Sequence, residues 1–428
     1  MLKKCFLLTI VLLLFSTQFV GATRPRATGP IDTTGEIDGA PYRIVVPANW
    51  NGTLLVYGHG YRDKADHPGE VDNRNPDIAP NAALANYLLS QGYALSGSAY
   101  RDNGWAVEEG IRDLKNLTLH FRTRVARPQR TILWAFSMGT VIAFTSMERF
   151  PGLYDGALCA CAVGAGATES WDSSGDLALA YDVLFGLPSA WGTFGNVRDD
   201  IDFETEVQPK LFSEVSNPIN FPKFEFMRLV AGTPGRGIQP PAPPAFYPGW
   251  VFTDMFFTTE ARAELERRAR GPIVQNLNRN YNLTDAEKAY LVSLGVPPAA
   301  IDGWLAAMNG RRNAVPSLRA RAYLWFNSNY TGFIRDPVLT LHTVIDPLVT
   351  VSQEYEYGET VRRARRGNYL YQTYTNGNRH CNFTGPQLIA AVGAIDAWVR
   401  TGQKPTAANF PAALGFVPGF TPPPMNQP

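Results

Sequence analysis

Thr131-Ile132-Leu133-Trp134-Ala135-Phe136-Ser137-Met138-Gly139-Thr140-Val141-Ile142-Ala143 is the stretch on which the fold turns. Residues 131–135 are a short apolar run, the kind that fills a strand covered on both faces, and residues 138–149 have helical spacing. Between them stands a serine with a small residue two positions away on either side, Ala135 and Gly139. A chain that reverses this sharply from strand to helix has no room for large side chains at those positions, and it pushes the serine hydroxyl outward. Alanine stands here where such turns usually begin with glycine. A serine that only caps a helix is the plainer reading; the buried strand before it favours the reactive turn.

The same alternation runs outward in both directions. Residues 42–47, 52–57, 92–98 and 156–163 read as further strands, and 79–90 and 107–124 as helices. Strands alternating with helices imply repeated crossover units: an α/β fold whose central sheet is mostly parallel, with helices on both faces. From 167 to 319 the rhythm stops and the chain becomes rich in Phe, Trp and Pro, with helix-like stretches at 259–270 and 285–294. It resumes at 337–342 and 370–374 and closes with a helix at 386–400. The expectation is a body made of residues 23–166 and 320–428, with a mainly helical cap at 167–319 inserted into it. A separate domain is the less favoured reading, because the sheet pattern returns. The proline-bearing end, 418–428, is expected to be a loose or strapped tail.

The 428 residues carry 39 basic and 38 acidic side chains, a net charge of +1, so no global field draws nucleic acid or an anionic membrane. Lys3-Lys4, an apolar run at 6–14 and Val20-Gly21-Ala22 predict a cleaved signal peptide at 1–22 and a secreted or periplasmic protein. That run is too short for stable membrane insertion. Of four cysteines, Cys5 leaves with the leader. Cys159, Cys161 and Cys381 allow one bridge at most, from Cys381 to Cys159 or Cys161, or three free thiols. No Cys or His pairs have structural-zinc spacing, so no metal is assigned.

A serine hydroxyl needs a base that titrates near neutrality, which points to histidine. There are five, and only His380 follows a late acid, in a loop between the last strand and the last helix. Around serine elbows of this kind the chain order is serine, acid, histidine. Asp346 supplies the acid, just past an apolar strand and before Pro347; Asp336 precedes that strand and would lie at the other edge of the sheet. The developing oxyanion needs backbone N–H donors. Met138, after the serine, offers one, and Tyr61 in Gly58-His59-Gly60-Tyr61 the second, with His59 and Gly60 able to approach a substrate closely because their turn is glycine-rich.

These motifs, Leu54-Leu55-Val56-Tyr57-Gly58-His59-Gly60-Tyr61, Ala135-Phe136-Ser137-Met138-Gly139, and Asp346 with Arg379-His380-Cys381-Asn382-Phe383, resemble the secreted esterases and lipases of the α/β-hydrolase superfamily over about residues 39–166 and 337–401. The resemblance implies hydrolysis through an acyl-enzyme with no cofactor. It also implies, from Tyr100-Arg101-Asp102-Asn103-Gly104-Trp105, that Asn103 and Trp105 stand near the site mouth. A His-Cys pair is similar to the tannase and feruloyl esterase group, where a cysteine beside the nucleophile bridges to one beside the histidine. Phe136 fills that place here, so the bridge cannot form that way and the group's substrate is not carried over.

The expected substrate is a small-molecule, lipid or polyester ester, and the oligomeric state is unread. Trp171, Trp191, Phe194, Trp250, Phe256 and Phe257 of the cap are candidates to line an apolar pocket, although more of them are expected to be core. A secreted serine peptidase on the same fold would need a carboxylate for the peptide's amino end, for which Glu204, Glu206 and Glu225 are candidates. A catalytically silent binding protein is the third reading.

Overall fold

In the computed structural model residues 29–240 and 243–425 are described, so the leader read at 1–22 lies outside the described residues. The centre of the molecule is set by two runs with no polar face. β3 (Thr53–Gly58) is buried along its whole length, and so is β5 (Arg130–Phe136) apart from its first residue. Strands this apolar need cover on both sides. Around them lie β1 (Ile31–Ile37), β2 (Ala40–Val46), β4 (Ala94–Ser98), β6 (Gly156–Ala160) and, after a long interval, β7 (Val338–Ile345) and β8 (Leu370–Asn378). The sheet order is β1-β2-β4-β3-β5-β6-β7-β8, with β1 and β2 antiparallel to their neighbours and β3 to β8 parallel. β1 escapes a reading by apolar pattern because Ile-Asp-Thr-Thr-Gly-Glu-Ile is a half-exposed edge strand.

Two helices cover one face, α1 (Ala82–Ser90) and α13 (Gly385–Thr401), and share a core with Leu55, Trp134 and Leu158. The other face carries α2 (Val107–His120), α3 (Met138–Arg149) and α12 (Ser352–Arg363), packed on Leu54, Val56 and Leu133. The expected helix at 107–124 ends as α-helix at His120 and continues as one wider turn over Phe121–Val125.

Between β6 and β7 the chain forms α4 (Gly166–Phe185), α5 (Gln208–Val215), α6 (Phe221–Ala231), α7 (Pro243–Thr258), α8 (Glu260–Ala269), α9 (Asp285–Ser293), α10 (Pro298–Asn309) and α11 (Leu318–Ser328), with a two-residue hairpin at 192–197. Most of this segment packs round a second core that includes Trp191, Trp250, Phe226 and Met255. The return to the sheet falls inside a helix, since α11 already begins at Leu318 and buries Ala320 and Leu324 in the body's core. The tail is strapped: Thr375 pairs with Phe416, Val417 N–H donates to Tyr374 O, and Met425 is buried with its amide donating to Glu356 Oε1 at 3.4 Å. Among the described residues no helix is long and apolar enough to cross a membrane.

Candidate active site

β5 delivers Ser137 to the rim of the sheet and α3 leaves at once, so the serine holds φ 53°, ψ −128°, a conformation L-residues rarely adopt. The turn is pinned by Ser137 N–H donating to Ala160 O at 3.1 Å and by Thr140, whose amide and hydroxyl both donate to Ser137 O at 2.8 and 2.6 Å. A side chain at Gly139 would meet Gly58 O and stand 2.6 Å from His59 O, so glycine is required there. Ala135 is tolerated because its β3 partner is Gly58, where a Cβ would come within 3.2 Å of the alanine methyl. The small residue has moved one strand across. Ser137 stands at the N-cap of α3, but its hydroxyl makes no capping hydrogen bond. Its Oγ lies instead 2.8 Å from His380 Nε2.

His380 follows β8 in a loop whose neighbours Arg379 and Cys381 both have positive φ, 81° and 52°. Arg379 N–H donates to Ile345 O at 2.7 Å, and Cys381 is joined to Cys161 at the end of β6, Cα to Cα 5.2 Å. The ring is therefore tied to both flanking strands. Its Nδ1 is 2.7 Å from Asp346 Oδ2; a carboxylate only accepts, which puts the proton on Nδ1 and leaves Nε2 to accept from the serine. Asp346 is fully buried just past β7, and its other oxygen accepts the Leu348 and Val349 amides at 3.0 and 2.9 Å.

Two hollows meet at Ser137. An inner cavity of about 120 Å³ is lined by Met138, Trp105, Trp171, Thr258 and Asp254; an outer cleft of about 760 Å³ by His380, Gly60, Phe203, Phe256, Asp63 and Glu204. Ser137, Tyr61, Phe257 and Leu348 line both and form the neck. Among the described residues neither the Met138 nor the Tyr61 amide donates to another protein group. Gly60 sits so close to the serine that a Cβ there would be 3.1 Å from Ser137 Cβ.

Of the remaining expected contacts, Trp105 reaches the inner cavity, its amide held by Glu264 at 2.9 Å and its ring set edge-on to Trp171. His59 and Asn103 line neither hollow. His59 is buried behind Gly60, stacked on Tyr100 at 3.9 Å with Nδ1 2.7 Å from Gly60 O, and burial lowers its pKa to about 3. Asn103 spends its amide on Asp72 and Asn73 of the neighbouring loop. Of the cap aromatics, Trp171, Phe256 and Phe257 line the hollows, while Trp191, Phe194 and Trp250 belong to the cap core. Among the three candidate cap acids only Glu204 lines the cleft; Glu206 pairs with Arg198, and Glu225 with Arg228 inside the cap. Sequence reasoning missed Asp254, a carboxyl that burial holds well above its ordinary range, with the nearby Asp346 charge adding to the effect. Nothing in a lone Asp between Thr253 and Met255 marks it; only the folded cap turns it inward.

The strand order, the elbow and the convergence of serine, histidine and aspartate define the fold: the chain has the α/β-hydrolase architecture. Among curated proteins it is similar to an o-phthalyl amidase from Xanthobacter agilis, 23% identical over 86% of this chain and 87% of that one. Solved structures similar to it include feruloyl esterase B from Aspergillus oryzae, 14% identical with a TM-score of 0.42 over 88% of this chain and 80% of that one. An epoxide hydrolase from Vigna radiata is 12% identical with a TM-score of 0.38, over 87% of this chain and 98% of that one. No family model matches the chain.

Proposed function

We propose that the protein is an exported serine hydrolase that cleaves carboxylic esters through an acyl-enzyme. The observation that carries this reading is the unbroken line from Ser137 Oγ to His380 Nε2, 2.8 Å, and from His380 Nδ1 to Asp346 Oδ2, 2.7 Å. Ser137 attacks the carbonyl carbon while His380 takes its proton; Asp346 holds the imidazole tautomer and stabilises the charged ring. The Met138 and Tyr61 amides, with no other acceptor, receive the oxyanion. His380 then protonates the leaving group. Since His380 faces the outer cleft and not the inner cavity, the alcohol belongs in the cleft and the acyl group inside. Water returning by the cleft releases the acid. The Cys161–Cys381 bridge supports an oxidising destination.

Amide cleavage by the same groups is the second reading, favoured by the o-phthalyl amidase relative. Among the described residues no Lys or Arg lines either hollow, so a carboxylate-bearing acyl group would meet no counter-charge. The deciding experiment sets neutral p-nitrophenyl esters, matched anilides and aminopeptides against purified protein and its Ser137→Ala variant. Ester turnover that vanishes in the variant is expected. Faster turnover of anilides or aminopeptides moves the assignment to an amidase or peptidase, and wild-type turnover by the variant overturns it.

A further inference from the structure

Five carboxylates from separate stretches of chain meet at the rim of the outer cleft. Asp63 and Glu70 come from the loop after β3, Asp202 and Glu204 from the cap turn that ends at Val207, and Glu260 from the first position of α8. Oxygens of Asp63, Glu70 and Glu260 lie within 4.8 Å of one another, as do oxygens of Asp202, Glu204 and Glu260. Glu260 is the hub of both sets. It is 4% exposed; its Oε2 accepts the Phe203 amide at 2.6 Å and its Oε1 has no partner. His67 Nε2, 3.8 Å from Oε2, is within ion-pair distance when its ring is protonated but leaves Oε1 without a partner. Among the described residues no Lys or Arg is within ion-pair distance of the five. The nearby cations are engaged elsewhere, Arg267 with Asp66, Arg198 with Asp200 and Glu206, Lys64 with Asp102. A buried acid crowded by like charges is costly unless a cation answers it.

We propose that these carboxylates form a binding site for a divalent cation of the calcium type, clamping the cap to the sheet body beside the cleft. The donors are all hard oxygens, and a separation of up to 4.8 Å within each set of three fits an ion that holds its ligands at roughly 2.3–2.6 Å, since opposite ligands then stand about 5 Å apart. A cationic substrate group is the competing occupant, but it would travel along the cleft, which Asp63 and Glu204 line and Glu260 does not. The buried hub, off the cleft wall, suits a small ion.

The test is calorimetric titration of the full-length, EDTA-treated protein with Ca²⁺, together with thermal melts, neither of which needs turnover. Saturable binding is expected, with a rise in melting temperature of about 3 °C or more at a hundredfold excess over Kd. Glu260→Gln should weaken binding by about tenfold or more, and so should Asp63→Asn, whose exposed position spares the fold. No heat up to about 10 mM Ca²⁺ with an unchanged melt, beyond the weakest sites of this kind, overturns the proposal. So does wild-type binding by both variants. Lost preference for a quaternary-ammonium ester over its neutral isostere in Asp63→Asn, with no Ca²⁺ bound by the parent, would hand the carboxylates to substrate.

Discussion

Ser137 shows what single residues contribute. Its φ of 53° is held by Gly139, Thr140 and the Ala160 carbonyl, and such backbone costs about 1–3 kcal/mol. Ser137→Ala should abolish ester turnover, by about 10³-fold or more, while the melting temperature stays within a few degrees. Ser137→Gly should be equally inactive yet more stable by about 1 kcal/mol, because glycine adopts that conformation freely; urea unfolding of the two variants checks it. His59 gives a pH signature. Its imidazole stays neutral in the fold down to about pH 3, whereas in the unfolded chain it takes a proton below about 6.5. Under acid the unfolded state therefore binds more protons and stability falls as pH drops through that window. Between pH 7 and pH 5 the loss from this residue is about 2 kcal/mol, and His59→Phe, measured by urea unfolding at both pH values, should lose that much less. At this scale Ser137, Asp346 and His380 were legible because each follows a strand in a known order. The role of His59 was not, since a glycine-flanked histidine looks the same whether it faces substrate or stacks on Tyr100.

Elements were legible where apolar runs keep the alternation of strand and helix, and hidden where a polar edge or an irregular segment breaks it. β5 and α3 follow from pattern, whereas β1 hides behind its polar residues and α6 behind burial on every side from residue 224 to 230. The sequence left the partner of Cys381 open between Cys159 and Cys161, and the structure joins it to Cys161. Cys159 and Cys161 would share a face of a regular strand, but Cys161 has φ 48°, which turns it to the opposite core and toward Cys381. α8 is the element that fixes the cap. Its Arg268 donates to Asp102 Oδ2 at 3.1 Å, Asn103 O at 2.9 Å and Glu109 Oε1 at 2.7 Å, while Glu264 holds the Trp105 amide. Arg268→Met leaves the buried Glu264 and the partly buried Glu109 without their cation, Asp102 keeping Lys64, and should cost about 3 kcal/mol. Because the same contacts position Trp105 in the inner cavity, KM for a bulky acyl ester should rise more than kcat falls; steady-state kinetics on a chain-length series checks that.

For the whole molecule, the parallel sheet and the helical interruption could be read from rhythm alone, but nothing in the chain announced which distant carboxylates meet, since positions 63, 70, 202, 204 and 260 become neighbours only when the cap folds over β3. The bond between Cys161 and Cys381 spans 220 positions. Closing so long a loop removes freedom from the unfolded chain worth about 5 kcal/mol in the chain-entropy account. Reductant should therefore lower the melting temperature of the wild type, and Cys381→Ser should melt near the reduced value whether or not reductant is present. Cys159, buried with its thiol pushed up, takes no part. All the cap helices lie between the two bridged cysteines. A protease that clips the cap once thus produces two polypeptides that still travel together, and a denaturing gel run without thiol would count the damaged protein as intact.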